Sequence, residues 1–247
     1  MKNINSIYNV PDSKKIRVII DSDAACEADD QFAIAHALLT PRFIVRGITA
    51  AQFFRPDGKE DTVDRSKAEA EKIVRLVGRE DVTVYRGAAF PLPDEHTPVD
   101  NEASDFIIEE ALSEDEHPLY ILCMGALTNL ASALLRRPDI AGRFTCIWIG
   151  GAPYPHGGWE FNLLNDHHAA NVLFGSAVEL WQVQFDCYFR MRVSYAELVS
   201  KVAPCGEAGK YLFEQMEALG SSPRGSWTMG ESWSLGDSPA VGLALDF

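Results

Sequence analysis

The stretch Ile16-Arg17-Val18-Ile19-Ile20-Asp21-Ser22-Asp23-Ala24-Ala25-Cys26-Glu27-Ala28-Asp29-Asp30-Gln31-Phe32-Ala33 joins two different periodicities. Its first five residues, Ile16–Ile20, form a short, largely β-branched apolar run of strand length. From Gln31 to Leu39 the spacing becomes helical, with Phe32, Ala35, Leu38 and Leu39 on one face. A buried strand feeding a helix is the repeating unit of a parallel sheet, because parallel neighbours require a crossover. The turn between the two is unusual. Asp21, Asp23, Glu27, Asp29 and Asp30 place five acids within ten residues, between two elements that both read as buried.

The same alternation continues along the chain. Strands are predicted over Phe43–Thr49, Val82–Tyr85, Leu119–Met124, Phe144–Ile149 and Val178–Phe185. Helices are predicted over Asp64–Val77, Glu102–Leu112, Thr128–Leu135, Asp166–Phe174, Tyr195–Val202 and Gly206–Leu219, with a buried helix starting at Pro239–Leu245. The segments Phe53–Asp61, Phe90–Asp100 and Ala152–Asn165 read as long Gly- and Pro-rich loops, the places where function concentrates. The pattern predicts an α/β fold, a mostly parallel, doubly wound central sheet with helices on both faces. No repeat or linker divides it, so residues 1–247 read as one domain.

Composition narrows the partners. Of 247 residues, 47% are hydrophobic, and 36 acids against 22 Lys and Arg leave a formal charge of −14, which argues against nucleic acid or an anionic membrane. No run reaches the roughly 18 apolar residues of a membrane span, and Met1–Asn5 opens no signal-peptide segment. The five cysteines are odd in number and form no CxxC pair, which fits a reducing compartment; a cytoplasmic protein is expected. Cys26, set among acids that raise a thiol pKa, reads as a spacer rather than a nucleophile. Composition leaves small neutral ligands and cations open as partners, and a homo-oligomer is expected.

Ligands of open α/β sheets bind beyond the carboxyl ends of the strands. Three sets of residues should meet there: the acidic turn, Cys123-Met124-Gly125-Ala126-Leu127-Thr128-Asn129, and Gly150-Gly151 with Glu160-Phe161-Asn162. Trp233-Ser234-Leu235-Gly236-Asp237-Ser238 adds one more carboxylate from far along the chain. Carboxylates gathered at one point repel unless cations or protons join them, and hard divalent cations take oxygen ligands. Asp23, Asp30 and Asp237 with the carbonyl of Met124 would make a calcium site. The alternative, that an aspartate simply caps or charges the first turn of the helix, explains one of these acids but not four.

These segments resemble, in order, the motifs of the inosine/uridine-preferring nucleoside hydrolases. The segment Asp21-Ser22-Asp23…Asp29-Asp30-Gln31-Phe32-Ala33 resembles the family's D-x-D…D-D-x-x-A signature, and the matches run from about Ile16 to Leu245. The resemblance implies a Ca²⁺-dependent hydrolase that splits the N-glycosidic bond of ribonucleosides into free base and ribose. It implies metal ligation by Asp23, Asp30, Asp237 and the Met124 carbonyl, Asp23 also acting as general base. Asp29 would hold a ribose hydroxyl, and Glu160 and Asn162 would grip the sugar.

Several features depart from that family. Two extra residues lengthen the spacing from Asp23 to Asp29, adding Glu27, which reads as solvent-facing with the pocket as the alternative. Gly236 stands where many purine-active members carry a histidine, and Gln52 where an asparagine is usual. Members usually continue with more helical sequence, so the resemblance implies a shortened C-terminal end. His156 is a candidate leaving-group acid, although a loop histidine with no partner in view reads first as exposed. His167 and His168 follow Asp166, which reads as a helix N-cap. Trp159, beside Glu160, is the best aromatic candidate for substrate contact, ahead of Trp227 and Trp233. The alternative reading is a divergent member that takes another sugar-containing ligand or is inactive. A phosphohydrolase would need Arg55 or Arg86 at the site.

Overall fold

The computed structural model describes residues 9–55, 61–228 and 230–246. The N-terminal reading at Met1–Asn5 and residues 56–60 of the loop Phe53–Asp61 lie outside them. The central sheet contains β1 (Ile16–Ser22), β2 (Phe43–Ala50), β3 (Val84–Arg86), β4 (Leu119–Cys123), β5 (Thr145–Ile149) and β6 (Glu179–Val183). Their order is β3-β2-β1-β4-β5-β6, and every neighbouring pair is parallel. Successive crossovers run outward from β1 in one direction and from β4 in the other. The sheet therefore has its switch point between β1 and β4, where a crevice opens at the carboxyl ends of the strands. Register puts Asp21 beside Cys123 at that point.

Every residue of β1 is buried, because both faces of the sheet are covered. Val18 and Ile20 enter one core with α1 (Asp30–Leu39), α2 (Thr62–Leu76) and α10 (Ser238–Asp246). Ile19 enters the other with α3 (Glu102–Leu112), α4 (Thr128–Arg136) and α6 (His167–Phe174). At 25 cal/mol per Å² or so, burial of this apolar surface is the main favourable contribution to folding.

Four short elements differ from the sequence expectation, and two of them line the crevice. Phe161–Asn165, expected in a loop, is the helix α5. The strand expected to reach Phe185 stops at Val183. Phe185–Tyr188 is the helix α7, its first N–H bonded to the Gly151 carbonyl at 3.0 Å. After α7 comes β7 (Arg192–Ser194), which precedes α8 (Tyr195–Lys201) and α9 (Gly206–Gly220). β7 pairs antiparallel with β8 (Ser232–Ser234), setting Val193 opposite Trp233. β7 and β8 hold one apolar residue each, too few to show a strand period in sequence.

Candidate functional site

Asp21 ends β1 as a brace. Its Oδ1 accepts from Thr49 Oγ1 at 2.6 Å and Asn129 Nδ2 at 2.8 Å, and its carbonyl accepts the Met124 N–H at 2.7 Å. These bonds tie β1 to β2 and to the β4–α4 turn, and Asp21 does not face the crevice. Two residues on, Asp23 closes a turn through its carbonyl and the Cys26 N–H at 2.7 Å. Its side chain is buried and its Oδ2 has no hydrogen-bond partner. A Cβ at Gly125 would lie 3.0 Å from Asp23 Cγ, so a glycine is needed for the β4–α4 turn to pass this carboxyl so closely.

Asp30 opens α1 and accepts from Ser22 Oγ at 2.6 Å. Asp29 occupies the N-cap position, yet its side chain makes no capping bond; its Oδ2 instead accepts the Gly236 N–H at 2.8 Å. That bond brings the β8–α10 turn across the crevice and delivers Asp237. Carboxylate oxygens of Asp29, Asp30 and Asp237 all lie within 4.8 Å of one another, with all three residues buried. Burial is the largest influence on each acid, and repulsion among them adds to it for Asp23, Glu27, Asp30 and Asp237. Asp29 is pushed up to about 6, Asp30 to about 7 and Glu27 to about 8, while Asp23 and Asp237 stand well above the carboxylate range.

The opposite wall is organised by Glu160, the N-cap of α5. Its carboxylate accepts four hydrogen bonds: from the N–H groups of Gly151 (2.7 Å), Asn162 (3.1 Å) and Leu163 (2.9 Å), and from the Tyr188 hydroxyl (2.7 Å). Asn162, held in place by this cap, donates its amide to the Ile149 carbonyl at 2.9 Å and the Met124 carbonyl at 3.4 Å. Between the two walls lies a cavity of about 540 Å³, within the usual range for a small-molecule site. Asp23, Glu27, Asp29, Asp30 and Asp237 line it together with Trp159, Phe185, Tyr188, Phe189 and Trp227.

Each residue expected at the site from sequence, namely Asp23, Asp29, Asp30, Met124, Trp159, Glu160, Asn162 and Asp237, lines this single cavity. Glu27 is a correction: it faces the cavity rather than solvent. The lengthened turn is pinned at both ends by Ala24 and Ala28, each fully buried, which folds the intervening carboxylate inward. Gln52 is turned to the Asn165 carbonyl at 3.1 Å, His156 is exposed, and Trp233 is buried in the core against Trp227; none of these lines the cavity. Asp166 caps α6 through the Ala169 N–H at 2.9 Å, and His168 pairs with Glu95 at 2.8 Å. Arg86 is paired with Asp64 at 2.6 Å, and neither it nor Arg55 is among the described lining residues. A phosphate therefore finds no basic side chain among them. Tyr188 was not legible in the sequence, and only its place in an aromatic run, Phe185-Asp186-Cys187-Tyr188-Phe189, marked the region.

Most of the chain matches a known group of proteins. The model for inosine-uridine preferring nucleoside hydrolases matches residues 18–247. The chain belongs to that family. The pyrimidine-specific ribonucleoside hydrolase RihA of Salmonella arizonae is 24% identical over 206 residues, 73% of this chain and 64% of that protein. The chain thus spans less than two-thirds of the length of such curated relatives. A plant nucleoside hydrolase, PpNRh1, superposes with a TM-score of 0.76 at 23% identity, covering 94% of this chain and 79% of that one. The purine-preferring ribonucleoside hydrolase of Gardnerella vaginalis gives 0.74 at 24% identity, covering 93% and 80%.

The residues of this family member suit a hard divalent cation. Three buried carboxylates within 4.8 Å, beside a fourth whose Oδ2 lacks any partner, supply the all-oxygen, anionic donor set such an ion requires. Without a cation the same groups would have to take up protons, as their raised pKa values indicate.

Proposed function

We propose that the cavity hydrolyses the N-glycosidic bond of ribonucleosides, with Ca²⁺ held by Asp23, Asp30, Asp237 and the Met124 carbonyl. The observation carrying this reading is the buried carboxylate group of Asp29, Asp30 and Asp237, with Asp23 and Met124 lining the same nucleoside-sized cavity, in a chain of this family. When bound, such a cation supplies a lowered pKa for the attacking water and an anchor for the ribose hydroxyls. The chain's own residues do the rest. Asp23 Oδ2 is free to accept the water's proton, which makes Asp23 the general base. Asp29, fixed by Gly236, presents its remaining oxygen to a ribose hydroxyl. Glu160 holds Asn162 and the α5 turn against the sugar, so the reactants are positioned before the reaction begins. As the bond to the base lengthens, C1′ gains oxocarbenium character, and the surrounding carboxylates stabilise that charge. The base leaves toward the aromatic residues of the cavity, Trp159 among them.

The test is release of free base and reducing sugar from inosine and uridine, with and without chelator. Turnover that is lost in chelator and restored by Ca²⁺ is expected. A folded protein that turns over neither these nor any other nucleoside refutes the proposal.

A further inference from the structure

The cavity offers a departing base no cationic proton donor: among the described residues that line it there is no lysine, arginine or histidine. Position 236 cannot supply one: a Cβ there would meet Asp29 Oδ2 and the Tyr188 ring at 3.0 Å each, so the tyrosine occupies the space a side chain would need. The Tyr188 hydroxyl is itself committed, donating to Glu160 at 2.7 Å. His156 sits exposed in its own loop, away from the lining. A neutral base that departs without a proton must leave as an anion, here into a cavity already lined by five carboxylates besides Glu160.

A base that carries a fixed positive charge has neither difficulty. We propose, building on the hydrolase reading above, that the preferred substrates are N-ribosides of cationic aromatic bases, such as an N-alkylated purine or a pyridinium. In that reaction water oxygen bonds to C1′ and the C1′–N electron pair returns to the ring, cancelling its positive charge. The base departs neutral, and the water's second proton passes through Asp23 to solvent. The same cavity also recognises the cation before reaction. Tyr188, clamped by Glu160 and packed edge-to-face on Phe185 with centroids 5.5 Å apart, lines the cavity with Trp159 and Trp227, aromatic rings of the kind that hold a planar cation; Phe189 is already stacked on Phe185 and under the Arg192 guanidinium. The carboxylates lining the same cavity add a field of the complementary sign.

The experiment has two arms on the Ca²⁺-loaded full chain. In the first, kcat/KM is measured for guanosine, N7-methylguanosine and a ribosylpyridinium. Each value is divided by that compound's uncatalysed hydrolysis rate, which removes its intrinsic leaving ability. At least a tenfold higher ratio for the two cations is expected. In the second arm, 1-methylnicotinamide and neutral nicotinamide are titrated by calorimetry. The cation should bind at least tenfold more tightly, and Trp159→Leu or Trp227→Leu should erode that difference. Equal ratios in the first arm overturn the inference. So does guanosine turnover that matches the cations and is lost in Glu27→Gln, which would make Glu27 the missing acid. Should no riboside turn over while 1-methylnicotinamide still binds selectively, the hydrolase reading fails and the cation-selective pocket stands. Equal binding of the two nicotinamides removes the pocket as well.

Discussion

Glu160 is the residue whose replacement separates support of the site from simple packing. Its two oxygens take four donors, and the residue is 1% exposed. Glu160→Ala leaves three backbone N–H groups and the Tyr188 hydroxyl without that acceptor and removes the α5 cap. A lost cap costs about 0.5–2 kcal/mol and each buried orphan donor about 1–3 kcal/mol. Water entering from the cavity relieves part of this, leaving about 3–5 kcal/mol. Glu160→Gln is milder for a geometric reason. Its Nε2 can take the Oε1 place, where the Tyr188 hydroxyl rotates to accept from it; only the Asn162 N–H, the longest of the four bonds at 3.1 Å, then loses a partner. One orphan and the lost charge cost about 1–2 kcal/mol. At about 2–4 °C per kcal/mol for a chain of this size, calorimetry should show losses of roughly 2–8 °C for glutamine and 6–20 °C for alanine. Nucleoside turnover should fall in the same order, since Asn162 is held by this cap. Equal losses in the two variants, or an alanine variant melting within about 1 °C of the parent, would refute the four-donor account.

Three other outcomes follow from the carboxylate cluster and its glycine. In chelator the melting temperature should fall as pH rises from about 4 to 8, because Asp29 (about 6), Asp30 (about 7) and Glu27 (about 8) keep protons in the folded state that the unfolded chain has released. The folded state then binds more protons, so stability drops with pH; a flat profile contradicts the repelling cluster, and added Ca²⁺ should restore stability at pH 8. Asp23→Asn or Asp237→Asn should raise the melting temperature in chelator by relieving buried charge while abolishing calorimetric Ca²⁺ binding; unchanged Ca²⁺ affinity would remove these residues from the metal site. Gly236→Ala should cost about 1–3 kcal/mol in urea unfolding through its 3.0 Å clashes, and Tyr188→Ala in the same chain should recover part of that; strict additivity of the two changes would show that the ring does not fill this space.

Much of the cluster was legible because sheet topology converts sequence order into position. Asp23, Asp30 and Met124 each follow a strand by a fixed few residues, and strands β1 and β4 are neighbours, so their carboxyl ends must meet. Asp237 was legible only through its motif. What brings it there is the Gly236–Asp29 bond, which spans 207 residues and has no local signal. Glu27 was misread because an acidic residue in a turn ordinarily faces water; the buried Ala24 and Ala28 that fold the turn inward look like ordinary small residues in sequence.

The sequence by itself determined the α/β alternation, the doubly wound sheet and the gathering of acids at one strand end, because strand and helix periods and the direction of parallel crossovers are local or topological properties. Only the tertiary structure decided the far wall of the cavity. That wall rests on α5, α7 and the β7–β8 pair, elements of three to five residues that carry no periodicity of their own and form where Glu160, Tyr188 and the Gly236 turn meet across the chain. Tyr188 took its role the same way: a tyrosine becomes the boundary of a binding site only when the fold sets it beside a glycine and a buried carboxylate.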